Sequence, residues 1–195
     1  MKKNTQTSLV RLVVTAMMSA VAIVLVLLFP VKMPPPISFL VYDMADIPVL
    51  IIAMMYGPGL GLFALAAAAT LQAFLTPGGN EFVGLFMHFV SSGVLVLITG
   101  FAAQRFHKLK YTAIGMAFGI SAVLGIMILL NLTVTVWFLG TLGVPEPRSM
   151  VIGCMPYIIL FNAVKPVVNC AASLIVFGLL TPFFKNSGRV LGVKL

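Results

Sequence analysis

A lysine lies deep inside an apolar stretch of the chain, within residues 161–166, whose sequence is FNAVKP. The stretch begins at Pro156, and a helix with a rise of about 1.5 Å per residue places Lys165 roughly 13 Å further along, near the centre of a bilayer. A charge at that depth costs about 3 kcal/mol on insertion scales and marks a candidate ligand-binding residue. The alternative is a structural lysine that donates to backbone carbonyls of a neighbouring helix. If Lys165 serves a ligand, we expect Lys165→Met to leave the empty protein equally or more stable.

Three further polar residues share a helix face with this lysine. Asn162, Lys165, Asn169 and Ser173 follow one another at spacings of three and four residues, so they form one polar stripe. Pro166 has no backbone N–H, which frees the carbonyl of Asn162 to accept a hydrogen bond beside a cavity or ligand. The stripe predicts a binding site for a small molecule with polar edges.

Other apolar stretches also carry polar residues. Asn131 lies in the outer half of the fifth stretch, and His88 lies in the fourth. His88 is a candidate ligand donor, although a histidine satisfied within the core is the commoner outcome. Asp43 and Asp46 precede the second stretch, where Asp46 is expected to cap a helix with Pro48 in its first turn. For both aspartates, capping is favoured over ligand contact.

The segment 29–42 is too rich in proline to span a membrane and too apolar for an ordinary loop. We interpret it as an outer lid, with Phe39 and Tyr42 closing the site beneath it. The alternative is an external loop that only packs against the helices.

The whole chain of 195 residues is 61% hydrophobic and 8% charged, which predicts an all-α integral membrane protein with one membrane domain over residues 1–195. The second apolar stretch is short for a span, so it is either tilted and extended or protected by its neighbours. The predicted transmembrane helices are six in number: 9–29, 47–56, 60–75, 82–103, 111–139 and 156–184.

The distribution of charge predicts the orientation. Alternating spans bring together the ends that carry most of the basic residues, namely Lys2, Lys3, Arg11, Arg105, Lys108, Lys110, Lys185, Arg189 and Lys194. Those ends, with both termini, are expected in the cytoplasm. The acidic residues fall on the other side: Asp43, Asp46, Glu81 and Glu146. The net charge of +8 is explained by this asymmetry, and no nucleic-acid partner is expected.

The sequence lacks the residues that several activities require. It contains no phosphate-binding loop and no His-Glu-x-x-His motif, and Cys154 and Cys170 lack metal-ligand spacing. We therefore expect no enzyme activity, metal or cofactor. A stand-alone secondary transporter would need an internal repeat and ion-coupling groups, and neither is evident. A membrane enzyme ranks equally low, because its nucleophile candidates are scattered.

Ala16 and Ala20 form a small-residue pair one turn apart on the first span. Such a pair leaves a groove into which another helix can press. Packing within the subunit and contact with a partner protein both remain open from the sequence.

The chain resembles the substrate-binding S components of energy-coupling-factor (ECF) vitamin transporters, and within them the riboflavin-specific group. Its length, its six spans and the small-residue pair of the first span are similar to the superfamily. Residues 43–48 (DMADIP) and 56–58 (YGP) resemble the start of helix two in the riboflavin group. Residues 129–131 (LLN) and 161–165 (FNAVK) resemble its ligand-contacting asparagines and lysine. The chain departs from the group at His88, where asparagine is usual, and at Pro166, where glycine is usual.

The resemblance implies a subunit that binds a vitamin in its outer half and does not hydrolyse ATP. It implies a transmembrane T component, contacted through the Ala16 and Ala20 groove, and two cytoplasmic ATPases as partners. The subunit would topple in the membrane to release the vitamin inside. Riboflavin is the expected bound substrate, because its polar edges suit Asn131, Asn162 and Lys165. Another vitamin (folate, pantothenate, thiamine or cobalamin) is the alternative.

Overall fold

The structure, a computed structural model, describes residues 2–37, 40–75 and 81–186. Within these ranges the chain is mostly helical. The α-helices are α1 (Lys2–Leu28), α2 (Asp46–Tyr56), α3 (Pro58–Leu75), α4 (Glu81–Phe106), α5 (Leu109–Leu130), α6 (Val136–Thr141) and α7 (Pro147–Asn186). A π-helical segment, Asn131–Thr135, joins α5 to α6, and the strands β1 (Val31–Lys32) and β2 (Val41–Tyr42) lie between α1 and α2.

In the part of the chain that the structure describes, four helical stretches are long and apolar enough to cross a membrane. They are Leu9–Leu28, Phe82–Phe106, Leu109–Thr141 and Pro147–Thr181. Two shorter apolar helices, Asp46–Tyr56 and Pro58–Gln72, accompany them. The prediction of a helical, multi-pass membrane protein is therefore confirmed.

The short helix α2 lies at the centre of the core. Residues 48–55 are all buried, and α2 contacts α1, α3, α4 and α7. Gly57 ends the helix with a φ of 97°, which glycine adopts without strain, and Pro58 begins α3. A Cβ on Gly61 would lie 2.8 Å from the Cβ of Ala53, so glycine lets α3 approach α2 closely. Of the two interpretations of this short stretch, protection by neighbouring helices is the one observed.

The proline-rich segment forms a short antiparallel hairpin in which Val31 pairs with Tyr42. Ile37, between the strands, is buried in an apolar cluster with Ile158 of α7. The hairpin therefore packs on the helices. The sequence did not predict its strands, because two-residue strands beside prolines carry no periodic signal. Phe39, expected in the lid, lies outside the described residues.

The last two predicted spans differ from the structure in one helix boundary and in one local helix type. The last helix begins at Pro147, so the predicted start at Pro156 is wrong. A proline is favourable in the first turn of a helix. Prolines further along a membrane helix are tolerated where neighbouring groups satisfy the freed carbonyls. Lys165 remains near the middle of this 40-residue helix. The predicted fifth span, 111–139, lies within the continuous helical stretch Leu109–Thr141, which contains the π-helical segment.

Candidate ligand-binding site

A cavity of about 520 Å³ lies among α2, α4, α5 and α7, with Leu40 and Val41 of the hairpin region in its wall. Its size falls within the usual range for small-molecule sites, which are mostly apolar with a few polar groups. Its apolar lining includes Leu95, Val123 and Met127. Its charged and amide-bearing residues include Asp43, Asp46, His88, Asn131, Asn162 and Lys165. The structure thus brings four of the predicted binding residues, on three helical stretches, into one cavity.

Lys165 forms an ion pair with Asp43. Its Nζ lies 2.8 Å from the Asp43 Oδ2, and the two side chains are 13% and 6% exposed. This partner is a carboxylate, whereas the structural interpretation of the lysine expected backbone carbonyls. Because an ammonium has three donors, the pair with Asp43 leaves Lys165 able to donate to a ligand as well. The pair fixes the lysine at the cavity wall.

Asp43 precedes α2, outside the helices, and it turns the chain into that helix. Its Oδ1 accepts a hydrogen bond from the backbone N–H of Ala45 at 3.2 Å, a pattern typical of an Asx turn. Burial, the largest single influence, favours the neutral acid. The charges of Lys165 and His88 and the hydrogen bonds from Lys165 and Ala45 together exceed it, and they hold the pKa of Asp43 below its ordinary value. The start of α2 has no side-chain capping hydrogen bond. The expectation that Asp46 caps the helix is therefore wrong, because its carboxylate is turned toward the cavity and α7.

Asn169 and Ser173, the last two residues of the polar stripe, link α7 to α2. The Asn169 Nδ2 donates to the carbonyl of Asp43 at 3.3 Å and to the Asp46 Oδ2 at 3.4 Å. The Ser173 hydroxyl donates to the carbonyl of Ile47 at 3.3 Å. The Tyr42 hydroxyl donates to the Asn169 Oδ1 at 3.0 Å. Tyr42 therefore holds the hairpin to α7, beside the cavity and outside its lining.

Asn131, in the π-helical segment, and Asn162, in α7, are buried amides that line the cavity, with 2% and 7% exposure. Each Nδ2 donates to a carbonyl one turn earlier, Asn131 to Met127 and Asn162 to Ile158, both at 2.8 Å. Since an amide nitrogen has two donors, each retains one for a ligand. The π-helical segment begins at Asn131, and π-bulges occur frequently at functional sites.

His88 and Asp46 form a second polar group in the cavity. The His88 Nε2 lies 3.7 Å from the Asp46 Oδ1, and the His88 Nδ1 lies 3.4 Å from the Ser92 hydroxyl. Sequence reasoning proposed His88 but missed both aspartates. One signal was available: a buried lysine needs a counter-charge, and Asp43 and Asp46 are two of the four acidic residues in the sequence.

Ala16 and Ala20 are exposed on the outer face of α1, whereas Thr15 and Ser19 are buried on its inner face. The hydroxyls of Thr15 and Ser19 donate to backbone carbonyls one turn earlier. The alanine pair is therefore not used for packing within the described part of this chain.

These features agree with one known class of protein. Residues 10–180 match the family described as the substrate-specific component of ECF transporters. The chain belongs to this family.

Three relatives carry more specific names. The chain is 28% identical over 185 residues to the riboflavin transporter FmnP of Bacillus subtilis (strain 168), covering 90% of this chain and 94% of the relative. It is 28% identical over 184 residues to the riboflavin transporter RibU of Staphylococcus aureus (strain TCH60), covering 90% and 93%. It is 30% identical over 125 residues to RibU of Lactococcus lactis subsp. cremoris (strain NZ9000), covering 62% and 60%.

A solved structure supports the fold. The S component of a bacterial ECF transporter superposes with a TM-score of 0.70 at 23% identity, covering 92% of this chain and 97% of that chain. The overall arrangement of helices is therefore that of an S component.

Proposed function

We propose that this chain binds riboflavin in the cavity and serves as the substrate-binding subunit for its uptake. The observation that carries the proposal is one cavity in which apolar walls meet Asn131, Asn162 and Lys165. The names of the full-length relatives favour riboflavin over other vitamins.

The chemistry of the ligand fits these groups. An isoalloxazine ring has a flat apolar face and an edge of alternating hydrogen-bond donors and acceptors. The free amide hydrogens of Asn131 and Asn162 and the ammonium of Lys165 would bind the acceptors on that edge. Side chains such as Val123 and Met127 would pack on the faces of the ring. We propose that the hairpin, with Phe39, covers the ligand.

In the membrane, we propose a single domain of six spans with both termini in the cytoplasm. The four long helical stretches would cross with α2 and α3, which are short but lie against them. The separation of basic from acidic residues along the sequence supports this orientation.

The subunit would not hydrolyse ATP itself. We propose that it joins a T component and two cytoplasmic ATPases, with the exposed face at Ala16 and Ala20 meeting the T component.

Uptake of labelled riboflavin tests this function. Cells without another flavin importer would express the chain alone, with the T component and ATPases, or with ATPases that cannot hydrolyse ATP. We expect uptake only with the complete, active set. Uptake by the chain alone would show a self-sufficient carrier and contradict the proposal.

A further inference from the structure

Among the residues that the structure describes, the cavity holds one carboxylate that Lys165 does not neutralise. The ammonium pairs with Asp43 at 2.8 Å, which leaves the charge of Asp46. The Asp46 Oδ2 accepts a hydrogen bond from Asn169 at 3.4 Å. The Asp46 Oδ1 is buried and has no hydrogen-bond partner within the described ranges. A buried acceptor of this kind is costly to leave unsatisfied.

The neighbouring histidine does not satisfy this oxygen. The His88 Nε2 lies 3.7 Å from the Asp46 Oδ1, which is beyond hydrogen-bond distance. The Ser92 hydroxyl lies 3.4 Å from the other ring nitrogen, Nδ1. When that hydroxyl donates to Nδ1, the ring proton of a neutral histidine is on Nε2. The Asp46 Oδ1, which accepts hydrogen bonds, then lies near the His88 Nε2–H, which donates them.

This pairing matches a hydroxyl group. A single oxygen placed about 2.8 Å from both atoms can donate its proton to Asp46 and accept one from His88. An anionic group would be repelled by the carboxylate, and an apolar group would satisfy neither atom. The two residues also lie on α2 and α4, apart from the amides on the π-helical segment and α7.

We propose that Asp46 and His88 form a subsite that binds a hydroxyl group of the ligand. This inference rests on the proposed function: in riboflavin, the group would be a hydroxyl of the ribityl chain, while the amides bind the ring. The subsite gives the cavity specificity for a neutral, hydroxylated side chain.

Two flavins that differ in this chain test the proposal. Riboflavin carries the ribityl chain, and lumiflavin carries a methyl group in its place. Fluorescence quenching with purified protein in detergent gives both dissociation constants. We expect the wild-type chain to bind riboflavin at least tenfold more tightly than lumiflavin.

The substitution Asp46→Asn then tests the contribution of the carboxylate to riboflavin affinity. Because Asn169 donates to the Oδ2 position, the new amide would keep its oxygen there and turn an NH₂ donor toward the ligand in place of the acceptor. We expect this variant to lose about tenfold in riboflavin affinity and to keep its lumiflavin affinity within threefold. His88→Phe, which removes the donor and retains a ring, should show the same pattern. It also supplies the test if Asp46→Asn does not fold.

Glu146→Gln is the matched control, because it makes the same carboxylate-to-amide change at an exposed residue outside the cavity lining. It should leave both affinities unchanged. A bridging water in place of a ligand hydroxyl would give equal wild-type affinities for the two flavins, or equal losses for both in the variants. Either result contradicts the proposed hydroxyl subsite and leaves the proposal of riboflavin binding intact. A wild-type chain that binds neither flavin overturns the proposed function itself.

Discussion

At the level of single residues, the ion pair between Lys165 and Asp43 organises the site. Each charge is buried, with side-chain exposures of 13% and 6%, so each depends on the other for compensation. The carboxylate is itself held by the backbone N–H of Ala45. The pair therefore links the start of α2 to the middle of α7 at the cavity wall.

This pairing reverses the expectation for Lys165→Met. From the sequence, removal of the charge should leave the empty protein equally or more stable if Lys165 serves a ligand. In the structure, the substitution leaves Asp43 as a buried, unpaired carboxylate, and we expect a loss of about 3 kcal/mol of stability. Thermal unfolding of the ligand-free protein in detergent measures it.

The double variant Lys165→Met with Asp43→Asn supplies the decisive comparison. Removing both charges should recover most of the stability that the single change loses. Lys110→Met, at an exposed lysine, controls for the substitution itself and should have little effect. If Lys165→Met alone were as stable as the wild type, the ion pair would not contribute as described.

At the level of helices and strands, the helical, multi-pass class could be predicted because the length and composition of apolar stretches are strong signals. The details that failed depend on tertiary contacts. The strands of the hairpin are two residues each, and no local pattern marks them. The π-helical segment at Asn131 and the early start of α7 at Pro147 were missed for the same reason: apolar sequence is compatible with several backbone paths until neighbouring helices select one.

The exposed face of α1 is the proposed contact surface for the T component. Ala16 and Ala20 are exposed on that face, so a larger side chain there does not disturb packing within the subunit. Ala16→Trp should abolish or greatly reduce riboflavin uptake with the T component and ATPases, because overpacking a close helix contact disrupts it. The riboflavin affinity of the isolated subunit should stay within a few-fold of the wild type.

Val21→Trp is the control for this substitution. Val21 is also exposed but lies about 100° round the helix from Ala20 and about 140° from Ala16. It should affect uptake much less. A parallel fall in riboflavin affinity and thermal stability in Ala16→Trp would instead show that the alanine face packs within the subunit.

At the level of the whole molecule, the class of protein and four of the six charged or amide-bearing residues named in the cavity follow from the sequence. Asn131, Asn162, Lys165 and His88 were predicted and line one cavity. Asp46 was assigned to helix capping, because an aspartate at a helix start usually has that role. Its burial beside His88 arises only when α2 packs between α4 and α7, which no local pattern reveals.

The central claim is that this cavity binds a flavin. The most direct test is the absorbance spectrum of the protein purified from cells grown in rich medium, followed by competition with thiamine, folate, pantothenate and cobalamin. We predict a yellow preparation with a flavin spectrum, from which only flavins displace the bound ligand. A colourless protein that binds one of the other vitamins, and not riboflavin, would contradict the account.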